Sequence, residues 1–121
     1  YKTVKNKFFL VTKNGKEKLV DIDGNIILNS IFDRIEKVLI SDNKYLFVFS
    51  KNDKSGLADQ KGKILLNPEY DDILNLGNQT NYYPELIFFE KSGKKGMINN
   101  NGTVFLPPIY DEIKGFSNKN A

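Results

Sequence analysis

Three sets of residues in this 121-residue chain have the types and spacing that chemistry would need. Asp21-Ile22-Asp23-Gly24-Asn25 alternates carboxylates ahead of a glycine, a pattern that suits a hard cation such as calcium. Asp71-Asp72 and Asp111-Glu112 are adjacent carboxylates, the minimum for a general acid and base pair. Lys13, Lys16 and Lys18, then Lys51 and Lys54, then Lys91, Lys94 and Lys95 form three basic clusters. Set in register, these lysines would make a cationic ridge for an acidic protein, an anionic polysaccharide or phosphates. Composition removes most other chemistry. The chain has no His and no Cys, which excludes Ser–His and Cys–His nucleophiles, imidazole and thiolate metal sites, and disulfides. Eighteen basic residues against fifteen acidic give a net charge of +3, a mild excess that is weak support for nucleic acid.

Each set also has a plainer explanation. The positions matching the calcium-like stretch, Asp59-Gln60-Lys61-Gly62 and Asn99-Asn100-Asn101-Gly102, lack its carboxylates, and apolar residues rather than a closing Glu follow Gly24. A hairpin turn accounts for all three. Asp33, Asp71 and Asp111 recur at one position of a repeat. A catalytic pair is needed once, whereas a carboxylate that accepts backbone N–H groups is needed in every repeat. Asp71 and Asp111 are therefore expected to cap the turns they begin, with Tyr70 and Tyr110 largely buried between units. Lysine at hairpin tips also keeps edges soluble and unpaired, and no aromatics interleave with it as single-strand binding would need. The sequons Asn78-Gln79-Thr80 and Asn101-Gly102-Thr103 read as accidents of an Asn-rich chain.

What must position these residues is a threefold repeat. The stretch from Leu57 to Ile73 recurs from Leu19 to Ile35 and from Met97 to Ile113, with Gly24, Gly62 and Gly102 at steps of 38 and 40. Each unit opens with a four-residue apolar run: Phe8-Phe9-Leu10-Val11, Leu46-Phe47-Val48-Phe49 and Leu86-Ile87-Phe88-Phe89. Such runs read as strands covered on both faces. Turn chemistry follows at Asn14-Gly15, Asn52-Asp53 and Ser92-Gly93, then a second strand, a second turn at the repeated glycine, and a third strand. Pro68, Pro107 and Pro108 should end that third strand. The spacing of three between Tyr70 and Ile73, and between Tyr110 and Ile113, predicts a short 3₁₀ or α turn near 69–73 and 109–113. Val38-Leu39-Ile40 reads as a fourth strand of the first unit. The second connection is two residues longer than the first, and the extra length falls in Gln79-Thr80-Asn81-Tyr82-Tyr83-Pro84. Insertions in repeats go to loops that often bind, which makes Tyr82 and Tyr83 candidates, although they also suit the start of the next strand.

The third unit, Gly96-Met97-Ile98-Asn99-Asn100-Asn101-Gly102-Thr103-Val104-Phe105-Leu106-Pro107-Pro108-Ile109-Tyr110-Asp111-Glu112-Ile113, resembles the bacterial WG repeat, also called the KWG repeat. The resemblance spans nearly the whole chain. It departs at the Trp-Gly pair: Glu17, Ser55 and Lys95 stand at the Trp position, and Lys18 replaces the Gly of the first unit. If that Trp fills a core slot, Phe from the first strands must fill it here. The resemblance implies a repeat domain of bacterial proteins, often inside larger ones, and brings no catalytic residues.

The expected fold is all-β: an open array of three tandem antiparallel β-meander repeats of about 38–40 residues, with single-turn helical connections. A single repeat domain covers 1–121, with units at approximately 8–45, 46–85 and 86–121. The abrupt start inside a strand-like segment reads as a piece of a longer protein. The expected role is a non-catalytic module for protein–protein interaction or scaffolding. The alternative is an anionic glycan or nucleic acid bound on the lysine ridge. The candidate surface is Lys51, Lys54, Lys91, Lys94, Lys95, Tyr82 and Tyr83, and no cofactor is expected. The partner would be another protein of acidic character, and exposed terminal edges invite self-association. No apolar run approaches the roughly 20 residues of a membrane span. No signal peptide is visible either, so cytoplasm and cell envelope stay open.

Overall fold

The structure, a computed structural model, describes residues 7–29, 32–41, 44–74 and 86–114. Eleven strands and no helix occur among them. The first sheet holds β1 (Phe8–Lys13), β2 (Lys16–Asp21) and β3 (Ile26–Asn29). The second holds β4 (Arg34–Ser41), β5 (Lys44–Lys51), β6 (Lys54–Asp59) and β7 (Ile64–Tyr70). The third holds β8 (Asp72–Leu74), β9 (Leu86–Lys91), β10 (Lys94–Asn99) and β11 (Val104–Tyr110). Every pairing is antiparallel, each strand beside its neighbour in sequence. Among the described residues no strand of the first sheet pairs with one of the third, so the array stays open.

Turn residues set the register. Asn14-Gly15, Asn52-Asp53 and Ser92-Gly93 all have positive φ at both positions, the backbone that lets a two-residue hairpin follow the strand twist. The second turn is held the same way three times. Asp21 Oδ1 accepts the N–H groups of Asp23 and Asn25, both at 2.9 Å. Asp59 Oδ1 does this for Lys61 and Lys63, and Asn99 Oδ1 for Asn101 and Thr103.

Alternation along the strands buries both faces of the middle sheet. Phe47, Phe49 and Ala58 face the first sheet and form a core with Leu19, Leu28 and Phe32. Leu46, Val48, Leu57 and Leu66 face the third and form a core with Ile73, Ile87, Phe89 and Ile98. Each core thus lies between two units. Across the ladder Phe49 lies opposite Gly56 and Phe89 opposite Gly96, whereas Ser55 and Lys95, which stand at the Trp position, lie opposite Ser50 and Glu90 on the other face, so these Phe side chains cover the repeat glycine and do not take the place of the missing Trp.

Three expectations need correction. The third strands do not end at their prolines: β7 runs through Pro68 to Tyr70, and β11 through Pro107 and Pro108 to Tyr110. Both are edge strands, and their register shifts between Leu66 and Tyr70 and between Leu106 and Tyr110, so the prolines sit on bulged residues that owe the ladder no donor. No helical turn follows among the described residues. The chain bends at Asp71 alone and resumes as β8, and it bends again at Asp111. The spacing of three comes from that corner, which turns both Tyr70 and Ile73 toward one core. Finally, the strand containing Val38-Leu39-Ile40 pairs with β5, so it opens the second sheet instead of closing the first. The stretch from Gln79 to Pro84 lies outside the described residues.

The second-turn glycines report how closely units approach. Gly62 and Gly24 have φ of 90° and 87°, so a side chain is strained at either. A Cβ on Gly62 would also stand 2.4 Å from the Ile27 carbonyl oxygen of the preceding unit, whereas at Gly24 it would meet nothing. Gly62→Ala is therefore expected to lower Tm by clearly more than Gly24→Ala. Equal losses in thermal unfolding would mean that the units do not pack this closely.

Candidate interaction edge

The first hairpins bring the lysines together. Lys13 pairs across its ladder with Lys16, Lys51 with Lys54, and Lys91 with Lys94, so each tip carries two like charges directly opposite. That arrangement is destabilising on its own. At the second and third tips it is relieved by carboxylates from the corner of the chain. Lys54 Nζ lies 2.5 Å from Asp71 Oδ1, Lys94 pairs with Asp111, and Lys91 Nζ is 3.7 Å from Glu69 Oε1 and 6.0 Å from the centre of the Tyr70 ring. The edge therefore alternates in charge and is not a plain cationic ridge. Lys51 is exposed at its tip. Lys95 is not on the edge: strand alternation turns it to the outer face of the third sheet, in a cleft of about 230 Å³ with Asp72, Phe88, Glu90, Glu112 and Ile113. Tyr82 and Tyr83 lie outside the described residues.

The corner aspartates do more than cap their own turn. Asp33 donates its N–H to the Ser50 carbonyl at 2.7 Å, and its Oδ2 accepts the Asn52 N–H at 2.8 Å. Asp71 repeats this on the Glu90 carbonyl and the Ser92 N–H, both at 2.8 Å. Each aspartate thus clamps the first hairpin of the following unit, a correction to the expected local cap. Since Asp71 Oδ1 also holds Lys54, one carboxylate ties the tip of the second unit to the tip of the third. Tyr70 is half-buried and meets Phe89 edge-on at 4.9 Å, while Tyr110 is exposed, contrary to expectation, because no described unit follows it.

The other chemical candidates are absorbed by the backbone. Asp21 spends Oδ1 on two amides, and its Oδ2 accepts from Asn25 Nδ2 at 3.2 Å, which leaves little for a cation. Asn99, a neutral residue, does the same work in the third unit, so the position needs an acceptor and no charge. No group of three or more acidic side chains among the described residues is placed to hold a metal. Asp72 lies opposite Glu90 and bonds Lys37 at 3.5 Å.

Electrostatics agree with the geometry. Lys54, and then the Ser92 amide, hold the Asp71 carboxyl below its ordinary value, and Lys94 does so for Asp111. A carboxylate whose pKa is lowered by folding adds stability above the unfolded value, which is lost as pH falls through the folded one. Asp71→Ala is expected to lower Tm at pH 7. Asp71→Asn should lower it less, because it keeps an acceptor for the Ser92 amide, and should flatten the loss of stability as pH falls below about 5. Unfolding curves from pH 7 to pH 2 check both. An unchanged Tm in Asp71→Ala would remove the clamp.

No helix among the described residues is long and apolar enough to cross a membrane. No significant match to the chain was found among curated proteins or solved structures. The profile of the WG containing repeat matches residues 56–94 and 96–121, more than half of the chain. It begins at Gly56 and leaves out the unit in which Lys18 replaces that glycine. With the repeated sheets, turns and clamps, this match places the chain in the WG containing repeat family.

Proposed function

We propose that the chain is a non-catalytic module that binds another protein along the edge formed by its first hairpin tips, with Lys51, Lys54, Lys91 and Lys94 steering an acidic partner. Repetition carries the reading. Asp33 and Asp71 make the same backbone bonds in successive units, as do Asp21, Asp59 and Asn99, so these groups serve the array and not a single reacting centre. The ion pairs favour a protein over a uniform polyanion, which would have to draw Lys54 and Lys94 off their own carboxylates. An edge of alternating sign suits a partner that offers both charges at matching spacing. The net charge of +3 supports an anionic glycan or nucleic acid as the second reading.

The test reverses Lys51 and Lys91 to Glu and compares the proteins captured from native extract across a salt series, beside retention on heparin. Steering charges act on association rate and are screened beyond about 10 Å at 0.1 M salt. Loss of captured proteins, together with a weaker salt dependence, is expected. An unchanged set would make the edge a solvated rim, and reduced heparin retention alone would favour the polyanion.

A further inference from the structure

A groove of about 200 Å³ lies between the second turn of the middle unit and the second turn of the unit after it, with the buried Leu46 in its wall. It sits at the end of β5 and β6 away from the hairpin tips, so it is separate from the edge those tips form. The lining is basic: Lys44, Lys61 and Lys63 stand around one carboxylate, Asp59. Among the described residues neither Lys61 nor Lys63 forms an ion pair. Asp59 spends its Oδ1 on the Lys61 and Lys63 amides. Two carboxamides add donors. Gln60 Oε1 accepts the Tyr45 N–H at 3.0 Å, and Asn101 Oδ1 accepts Lys44 Nζ at 2.6 Å. With the oxygens taken in this way, each carboxamide is left to present its NH₂ group.

The array does not require this charge. The first unit carries Ile22, Asp23 and Asn25 where the middle unit has Gln60, Lys61 and Lys63, and the third carries Asn100, Asn101 and Thr103. All three turns nevertheless make the same pair of backbone bonds to their first residue. A turn that folds as well on Asp23 owes nothing to the charge of Lys61. The groups that hold the units together recur, whereas this basic set occurs once, on loops that a rigid scaffold positions. That is the pattern of a ligand site and not of the scaffold.

We propose that this groove binds a small phosphate monoester, with Lys44, Lys61 and Lys63 on the phosphate oxygens and the second Asp59 oxygen accepting a hydroxyl of the ester. Three ammonium groups and one carboxylate leave a net charge of +2 around the groove. A phosphate monoester carries about −1.5 to −2 at pH 7 and answers that charge, which a single carboxylate would not. The volume lies below the roughly 300–1,000 Å³ of sites for drug-sized ligands, so the groove takes one small group and not a length of polymer. The proposal does not depend on what the hairpin tips bind.

Proton–nitrogen NMR of the full chain tests this, with inorganic phosphate and glycerol 3-phosphate titrated at constant ionic strength. Saturable shifts are expected at the amides of Gln60, Lys61, Lys63 and Asn101, while those of Asn52 and Ser92 stay in place. Glycerol 3-phosphate, which brings hydroxyls to Asp59, should bind at least threefold more tightly than inorganic phosphate. Lys61→Asp combined with Lys63→Asn sets the residue types of the first unit on the same turn, so folding is retained. That double variant should weaken binding at least tenfold, and Lys51→Glu with Lys91→Glu at the hairpin tips should leave it unchanged. Three results would each overturn the proposal: shifts that rise linearly at every lysine-bearing turn, a double variant that binds as the wild type does, or inorganic phosphate binding as tightly as the ester.

Discussion

Phe89→Ala is expected to cost about 3–5 kcal/mol, the usual loss when a buried Phe is cut to Ala. Phe89 is 2% exposed, packs with Ile73, Ile87 and Ile98 between the second and third units, and meets Tyr70 edge-on. Its removal opens a cavity at the joint, where bulged backbone on one side and a neighbouring sheet on the other limit collapse. Domains of this size have roughly 5–15 kcal/mol to lose, so the variant should be close to unfolding at physiological temperature. Val11 holds the matching place in the first unit and is 46% exposed, so Val11→Ala should cost far less. Denaturant unfolding of the two variants checks the contrast. Similar losses would mean that Phe89 is not a joint residue.

Gly96→Ala is the second large effect, at about 1–3 kcal/mol from overpacking. A Cβ there would stand 2.6 Å from the Leu106 carbonyl oxygen and 2.9 Å from both the Pro107 carbonyl carbon and the Phe89 ring. Gly96 is not among the glycines with positive φ, so the loss would be steric and not conformational. Two of the three atoms belong to backbone, which cannot swing away. Trimming Phe89 to Leu in the same chain should therefore fail to restore stability. Full rescue in chemical denaturation would place the clash on the ring alone and leave the bulge out of the explanation.

These two residues mark where the sequence was legible. The period, the hairpin turns and the apolar runs could be read directly, because a repeated Gly or Asn-Gly has a local backbone reason that needs no partner. The Phe expected in the slot of the lost Trp was misplaced: Phe49 and Phe89 cover Gly56 and Gly96, on the face opposite Ser55 and Lys95. The corners were not legible. Pro68 and Pro107 read as strand ends because a ladder strand needs donors, but an edge strand can carry proline on a bulge. The bulge in turn explains Gly56 and Gly96: the Leu66 and Leu106 carbonyls approach them too closely for a side chain. The first unit fits that logic, since it has no such proline and carries Lys18 and Val11 where the others carry Gly and Phe. The targets of Asp33 and Asp71 lie 19 and 21 residues away, beyond what local spacing can show. The charged edge was half legible, because the lysine tips follow from the hairpins but their carboxylate partners come from another strand.

The central claim is that the chain is a linear array, each unit held by its neighbours through recurring polar clamps and aromatic slots. Native-state hydrogen exchange on dilute protein tests it most directly, because local opening free energies follow packing unit by unit. The middle sheet is covered on both faces, so the amides of Phe47, Val48 and Phe49 should exchange slowest. Those of β1 should exchange much faster, and Asp33→Ala should speed the Asn52 amide while leaving Ser92 unchanged. Equal protection across all three sheets, with Asn52 and Ser92 responding together, would contradict the array and point to one undivided core.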